Sequence, residues 1–241
     1  MHRISSVLAL VAASMPSLLA ASSSCTDDAM FVFDGSGSMA EIGFNLLEEP
    51  RIYEARRAVH AALPSIAAVR RVGLVIYGPG RVGSCGHIDL RFGPRDSAAE
   101  PIIDAVERLA PEGETPLTAS VAIAAQTLEY REKPGVIVLL TDGKETCGGQ
   151  PCQLAAELAA DAHNLTVHVI GFKVRGEHFG WSDPDAIGYQ STVTVAQCLA
   201  EATGGKYVST ETLDELTAAL METLGCQLIG QRPQRGAMRA G

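Results

Sequence analysis

A short apolar run, Ala29 to Phe33, ends abruptly in the polar sequence Asp34-Gly-Ser36-Gly-Ser38. An apolar run of this length, bounded by turn residues, predicts a buried β-strand. The two glycines allow the backbone to turn sharply and to approach a ligand closely. Asp34, Ser36 and Ser38 supply one carboxylate and two hydroxyls, the hard oxygen donors that Mg²⁺, Mn²⁺ or Ca²⁺ prefers. A serine–glycine turn without any ligand would have the same sequence.

Two later stretches favour the metal interpretation of this turn. Thr115 stands just before a predicted helix, where by itself it would serve as an ordinary N-cap with Pro116 at the first helical position. A second buried strand, Val136 to Leu140, is followed by Thr141-Asp142-Gly143. The order is therefore a strand with an Asp-x-Ser-x-Ser turn, then a threonine, then a strand with an aspartate at its carboxyl end.

This order resembles the metal-ion-dependent adhesion site of von Willebrand factor type A (VWA) domains. The resemblance extends over most of residues 27–225, and it is closest to secreted bacterial members, which share the pattern Thr-Asp-Gly-Lys-Glu-Thr-Cys-Gly-Gly-x-Pro-Cys found at 141–152. The positions that match the signature are Asp34, Ser36, Ser38, Thr115 and Asp142.

Strands that alternate with helices predict an α/β fold, with an open, doubly wound, mostly parallel sheet and helices on both faces. The first predicted helix runs from Arg51 to Leu63, and Pro64 is expected to end it. The resemblance implies a VWA, Rossmann-like sheet of six strands in the order 3-2-1-4-5-6, with strand 3 antiparallel. Asp34 and Asp142 then follow neighbouring strands at the switch point where such sheets bind ligands.

The amino-terminal segment predicts export. Residues 1–21 read as a secretory signal peptide, with cleavage after Ala20 or Ala21, and are too short and too broken to span a membrane. No other segment approaches ~18 consecutive apolar residues. We expect a VWA domain over 27–226, a short basic and disordered tail over 227–241, and a periplasmic or secreted protein. A lipoprotein anchored through Cys25 is the alternative.

The net charge of −9 argues against nucleic acid or anionic lipid as the main partner. Six cysteines in an exported chain favour disulfides over a zinc site, because the spacings do not repeat as paired Cys-x-x-Cys. Many connectivities are possible. A local bridge between Cys147 and Cys152 would stiffen the loop after Asp142, and a bridge between Cys25 and Cys226 would tie the domain's ends together. Cys85 would then pair with Cys198.

The resemblance also implies a function. Ser36, Ser38 and, in the ligand-bound state, Thr115 would coordinate a divalent cation directly, while Asp34 and Asp142 would hold its waters and the hydroxyls. Mg²⁺ is the expected ion, with Mn²⁺ or Ca²⁺ as alternatives, and the expected ligand is an Asp or Glu carboxylate of a protein partner. Glu145 lies close to Asp142 and could modulate the site, but we expect it to be a solvated loop charge. His168 is expected to be a packed core histidine.

Two other functions compete with this protein-binding module. One is a metal-dependent hydrolase such as a phosphoesterase, and the other is a scaffold that binds through a metal-independent face. We do not expect an enzyme, because the sequence contains no Gly-x-Ser-x-Gly, His-Glu-x-x-His or P-loop motif, and its six histidines lack metal spacing. The sequence does not specify the partner, the disulfide pairing or the oligomeric state.

Overall fold

The structure, a computed structural model, describes residues 27–42, 48–81, 83–174 and 196–225. The predicted signal peptide (1–21), the tail (227–241), Cys25 and Cys226 lie outside the described residues. The described residues form strands and helices that alternate along much of the chain. The strands are β1 (Ala29–Asp34), β2 (Val72–Tyr77), β3 (Ile88–Arg95), β4 (Pro134–Thr141), β5 (Asn164–Phe172) and β6 (Tyr207–Thr210). The helices are α1 (Arg51–Ala67), α2 (Ala99–Glu107), α3 (Leu117–Thr127), α4 (Pro151–Asp161), α5 (196–202) and α6 (Leu213–Thr223).

The six strands form one sheet in the order β3-β2-β1-β4-β5-β6. Strand β3 runs antiparallel to β2, and the other neighbouring pairs are parallel. The predicted fold class and strand order are therefore confirmed. Strand β1 lies between β2 and β4. From β1 the chain adds β2 and β3 on one side, and then returns to add β4, β5 and β6 on the other side.

Strand β1 is buried along its whole length because helices cover both faces of the sheet. Alternate side chains point to opposite faces of a strand. Phe31 and Phe33 accordingly pack with α1, α2 and α6, whereas Met30 and Val32 pack with α3, α4 and α5. Two apolar layers therefore hold the central strand rigidly, and with it the polar turn at its carboxyl end.

The prediction that Pro64 ends the first helix is wrong. Helix α1 continues through Pro64 to Ala67. A proline inside a helix costs roughly 3 kcal/mol. Leu63 and Ile66 on either side of it are buried in the core, and each contributes about 1.5–3 kcal/mol by leaving water. Burial of the last turn therefore offsets the cost of the proline.

Two of the predicted disulfides are also wrong. Cys85 pairs with Cys147, and Cys152 pairs with Cys198. Cys147 lies in the loop after β4, close to the loop between β2 and β3, because both loops emerge at the same end of the sheet. Cys152 lies in the first turn of α4, which packs on the same face as α5. The pairing follows the proximity of the cysteines in the folded structure. The short sequence separation of Cys147 and Cys152, on which the predicted bridge rested, did not determine it.

His168 is a packed core histidine, as predicted. It lies in β5 and is 9% exposed, and its Nδ1 accepts a hydrogen bond from the backbone N–H of Lys206 at 3.1 Å. Within the described ranges, every helix is too short or too polar to cross a membrane.

Candidate metal centre

The carboxyl ends of β1 and β4 bring four of the predicted metal-site side chains into one hydrogen-bonded cluster. The Ser36 hydroxyl donates to Asp34 Oδ1 at 2.6 Å, and the Ser38 hydroxyl donates to Asp142 Oδ1 at 2.6 Å. The two serine Oγ atoms are 3.1 Å apart. Residues more than a hundred positions apart in the chain therefore meet because their strands are hydrogen-bonded neighbours.

Asp34 is fully buried, and both of its carboxylate oxygens accept hydrogen bonds. Oδ1 accepts from the Ser36 backbone N–H at 2.9 Å as well as from the Ser36 hydroxyl. Oδ2 accepts from the Thr141 hydroxyl at 2.7 Å. These bonds satisfy a buried carboxylate and fix its orientation.

Sequence reasoning missed two residues next to Asp34. Thr141 is the last residue of β4, where its hydroxyl reaches across to the neighbouring strand. Tyr77 ends β2 opposite Asp34 in the sheet, and its side chain is fully buried. Burial, and then the nearby charge of Asp34, raise the pKa of Tyr77 well above its usual value. Tyr77 therefore stays a neutral phenol beside the carboxylate.

Arg51 is the third residue that the sequence did not point out. Its Nη1 donates to Asp142 Oδ2 at 3.0 Å and lies 3.3 Å from the Ser38 carbonyl oxygen. Arg51 begins α1, where a cation opposes the helix macrodipole. An arginine at this unfavourable position is the sequence signal that Arg51 has a role other than stabilising the helix.

Asp142 is almost completely buried. Burial, and then the charge of Asp34, raise the pKa of Asp142 to about 7. The hydrogen bond from Ser38 and the charge of Arg51 act in the opposite direction. A second positive charge near the two carboxylates would favour the ionised form of Asp142.

The loop that carries Thr115 is bound to the Asp34 turn through the backbone. The Gly37 N–H donates to the Gly113 carbonyl at 3.0 Å, and the Glu112 N–H donates to the Gly35 carbonyl at 3.0 Å. Gly113 has a φ of +79°, and a Cβ there would lie 2.3 Å from the Gly78 carbonyl oxygen. Only glycine fits this contact.

Thr115 lines the same cavity as Ser36, Ser38 and Asp142, and it is buried. It is not the helix N-cap, because Pro116 takes that position and makes no side-chain cap bond. In the described residues, the Thr115 hydroxyl makes no hydrogen bond to the other four predicted side chains. Four of the five predicted side chains are therefore in contact with one another. The fifth, Thr115, lies in the wall of the cavity beside them.

Glu145 has a structural task that differs from the predicted solvated loop charge. Its Oε2 accepts from the backbone N–H and the hydroxyl of Thr118, at 2.8 and 2.7 Å, in the first turn of α3. Its Oε1 accepts from the Cys147 N–H at 2.8 Å. The Thr146 hydroxyl accepts from the Thr115 N–H at 2.8 Å. The loop after Asp142 therefore holds both the Thr115 loop and the start of α3.

The donor set fits a hard divalent cation. Each serine hydroxyl can donate its proton to a carboxylate, which leaves the lone pairs of both Oγ atoms available to a cation. Ligands that are neighbours around octahedral Mg²⁺ lie roughly 3 Å apart, given bonds of ~2.1 Å, and the Oγ–Oγ distance is 3.1 Å. The described residues contain no group of three or more His, Cys, Asp or Glu that could hold a metal ion.

An α/β sheet with this strand order is VWA-like. A family model described as von Willebrand factor type A domain matches residues 29–145. That range contains all five predicted site residues. Over that range, which is just under half of the chain, the sequence is similar to VWA domains.

Similar proteins include YwmC of Bacillus subtilis (strain 168), which is described as uncharacterized. It is 29% identical over 158 residues, which cover 62% of this chain and 67% of YwmC. Among solved structures, the pilus adhesin SpaC from Lactobacillus rhamnosus GG is similar, with a TM-score of 0.60 and 17% identity. The match covers 83% of this chain and 30% of SpaC.

A third similar structure is proximal thread matrix protein 1 from the mussel byssus, described with a zinc-occupied metal-ion-dependent adhesion site. Its TM-score is 0.50 at 18% identity, over 83% of this chain and 47% of that protein. At these identities, the structural matches show the shared fold.

Proposed function

We propose that this protein is an exported binding module that holds a divalent cation, Mg²⁺ foremost, and through it an acidic group of a protein partner. Ser36 and Ser38 would bind the ion directly, and Thr115 would join them when a ligand is bound. Asp34 and Asp142 would hold the hydroxyls and the ion's waters. The cation would supply an electrophilic site for an anionic oxygen.

The observation that carries this proposal is the pair of serine hydroxyls, each of which donates to a different buried carboxylate. The two serine Oγ atoms are 3.1 Å apart, a spacing at which both can bind one octahedral cation. Two carboxylates and the Arg51 guanidinium give the cluster a formal charge of −1. A divalent cation would reverse that sign and favour a carboxylate from outside.

Export and a protein partner have separate support. The described residues contain two disulfides, which persist in oxidising compartments. SpaC, which shares the fold, is a pilus adhesin. The sequence has no motif that pairs a nucleophile with a base. We therefore favour a binding module over a hydrolase.

Calorimetric titration of the oxidised protein without residues 1–21 tests the proposal. Mg²⁺, Mn²⁺ and Ca²⁺ are added separately, with and without millimolar acetate. We expect saturable binding at one site that tightens with acetate and that Asp34→Ala abolishes. Asp161→Ala is the matched control, because Asp161 is an exposed aspartate on α4 that pairs with Arg131.

The variants are compared by circular dichroism, so that loss of binding is separated from loss of fold. Absence of binding by the wild-type protein in the presence of acetate would overturn the proposal. Equal binding by the wild-type and Asp34→Ala proteins would show that the cation binds elsewhere.

A further inference from the structure

The segment that carries Thr115, residues 113–118, lies between two other loops at the same end of the sheet. On one side it packs against the loop between β2 and β3. A Cβ at Gly113 would lie 2.3 Å from the Gly78 carbonyl oxygen and 3.7 Å from the Arg81 carbonyl oxygen. On the other side it is hydrogen-bonded to the loop between β4 and α4. The Thr115 segment therefore borders a different loop on each side.

The hydrogen bonds to the loop between β4 and α4 involve Thr115 itself and the start of α3. The Thr115 N–H donates to the Thr146 hydroxyl at 2.8 Å, and the Thr146 N–H donates to the Thr115 carbonyl at 3.2 Å. Glu145 accepts from the Thr118 N–H with one carboxylate oxygen and from the Cys147 N–H with the other. Both backbone groups of Thr115 are therefore held by the residue that precedes Cys147 in the chain.

The Cys85–Cys147 disulfide joins the two loops that border the Thr115 segment. Cys85 belongs to the loop between β2 and β3, and Cys147 directly follows Thr146. The contacts close a ring. It runs from Gly113 into the first loop, across the disulfide to the second loop, and back through Thr146 to Thr115. Without the bridge, the two loops would lose the covalent link that keeps them on either side of the segment.

The second disulfide does not belong to this ring. Cys152 lies in the first turn of α4, and Cys198 lies in α5. Its bond therefore joins two helices, whereas the Cys85–Cys147 bond joins two loops around Thr115. The chain thus offers two bridges that can be removed by the same chemistry, with only one of them next to the metal centre.

We propose that the Cys85–Cys147 disulfide positions Thr115 for ligand binding at the metal centre. The inference rests on the proposed function, in which the Thr115 hydroxyl joins the cation when a ligand is bound. By holding the two loops together, the bridge reduces the conformational freedom that the Thr115 segment loses on binding. The disulfide therefore strengthens binding of the acidic ligand, and leaves binding of the cation to Ser36 and Ser38 unchanged.

Serine variants of the two bridges test the inference. Cys85→Ser with Cys147→Ser removes the bridge next to Thr115, and Cys152→Ser with Cys198→Ser is the matched control. Mg²⁺ and then acetate are titrated calorimetrically into each protein, after circular dichroism has shown that it is folded. The first double variant should bind Mg²⁺ as the wild-type protein does and bind acetate about fivefold more weakly. The control should match the wild-type protein for both.

Four outcomes of these titrations would overturn the inference while the proposed function stands. The first is an unchanged acetate affinity without the Cys85–Cys147 bridge, and the second is an equal loss in the control. The third is a matching loss of Mg²⁺ affinity, which would indicate general damage to the site. The fourth is tighter acetate binding, which would mean that the bridge holds Thr115 away from the cation. If the wild-type protein binds neither Mg²⁺ nor acetate, the proposed function fails, and this inference fails with it.

Thr115→Val separates positioning of the hydroxyl from a general effect of the bridge. The substitution removes the hydroxyl and keeps the shape of the side chain. If the bridge acts through that hydroxyl, its removal from the Thr115→Val protein should cause no further loss of acetate affinity. A second loss as large as that in the wild-type background would overturn the inference.

Amide hydrogen exchange without any metal gives a second measurement. Exchange at Thr115 and Thr146, relative to the amides of β1, should become faster when the Cys85–Cys147 bridge is removed. Removal of the Cys152–Cys198 bridge should leave this ratio unchanged. An equal ratio in the wild-type protein and both double variants would overturn the inference, because the bridge would then have no effect on the Thr115 segment.

Discussion

Arg51 Nη1 lies 3.0 Å from Asp142 Oδ2, and both side chains are almost fully excluded from solvent. The pair places a fixed positive charge directly behind the proposed metal site. Because Oδ2 is bound to Arg51, Oδ1 remains to orient the Ser38 hydroxyl. The guanidinium therefore favours the ionised form of Asp142 and fixes the direction of its carboxylate.

Arg51→Met should lower the free energy of unfolding by about 3 kcal/mol or more, because it leaves a buried carboxylate without its cation. Saturating Mg²⁺ should restore part of that loss, since a metal ion would replace the missing charge. Urea unfolding with and without Mg²⁺ measures both effects. Arg71→Met is the control: its pair with Asp28 is partly exposed and should contribute under about 1 kcal/mol. A loss that Mg²⁺ does not reduce would contradict this account.

Thr141→Val should weaken Mg²⁺ binding about tenfold, because Asp34 Oδ2 loses its hydrogen bond and the carboxylate is no longer held in place. The side chain keeps its shape, so the change isolates the hydroxyl. Calorimetric titration gives the affinity. Thr217→Val is the control, since the Thr217 hydroxyl bonds within α6 to the Leu213 carbonyl. Equal affinities of the wild-type and Thr141→Val proteins would remove Thr141 from the site.

Glu145→Ala should lower the free energy of unfolding by about 1–2 kcal/mol, because the first turn of α3 loses the acceptor for the Thr118 N–H and hydroxyl. The comparison is with Glu157→Ala, an exposed position on α4. Urea unfolding measures the difference. If both variants lose the same amount, Glu145 acts only as a surface charge.

Peptide mapping of the unreduced protein should recover Cys85 linked to Cys147 and Cys152 linked to Cys198. Replacing both Cys85 and Cys147 by serine should cost about 2–4 kcal/mol of stability, because that bridge closes a long loop in the unfolded chain. Recovery of a Cys147–Cys152 peptide would contradict the pairing.

His168 should make the protein less stable in mild acid. Burial, and then the charges of Lys206 and Arg70, lower its pKa from 6.5 to about 4. Between these values, the unfolded chain binds a proton that the folded protein does not, so stability falls as the pH drops from about 6.5 to about 4. The loss attributable to His168 is about 3 kcal/mol.

Urea unfolding across this pH range, for the wild-type protein and for His168→Gln, tests the expected loss. The variant should show a shallower decline, and His163→Gln, at an exposed position, is the control. Parallel curves for the wild-type and His168→Gln proteins would show that other groups control the acid sensitivity.

The sequence determined the class of fold and the location of the proposed site. Buried runs that end in Asp34 and Asp142 are local patterns, and in a parallel sheet neighbouring strands present their carboxyl ends together. The strand order came from the resemblance, and the hydrogen-bonded sheet confirms it. The capping box that begins α6 is equally local: the Thr212 hydroxyl accepts from the Glu215 N–H, and the Glu215 carboxylate accepts from the Thr212 N–H.

Only the tertiary structure decided the partners of Arg51, Thr141, Glu145 and the cysteines. Each depends on a distance between segments that are remote in the chain. The sequence shows that Arg51 carries a positive charge and that Cys147 is one of several cysteines. It does not show which carboxylate Arg51 pairs with or which cysteine Cys147 is bonded to. Packing of the helices on the sheet selects one partner for each, because buried charges and polar groups must be satisfied where the fold places them.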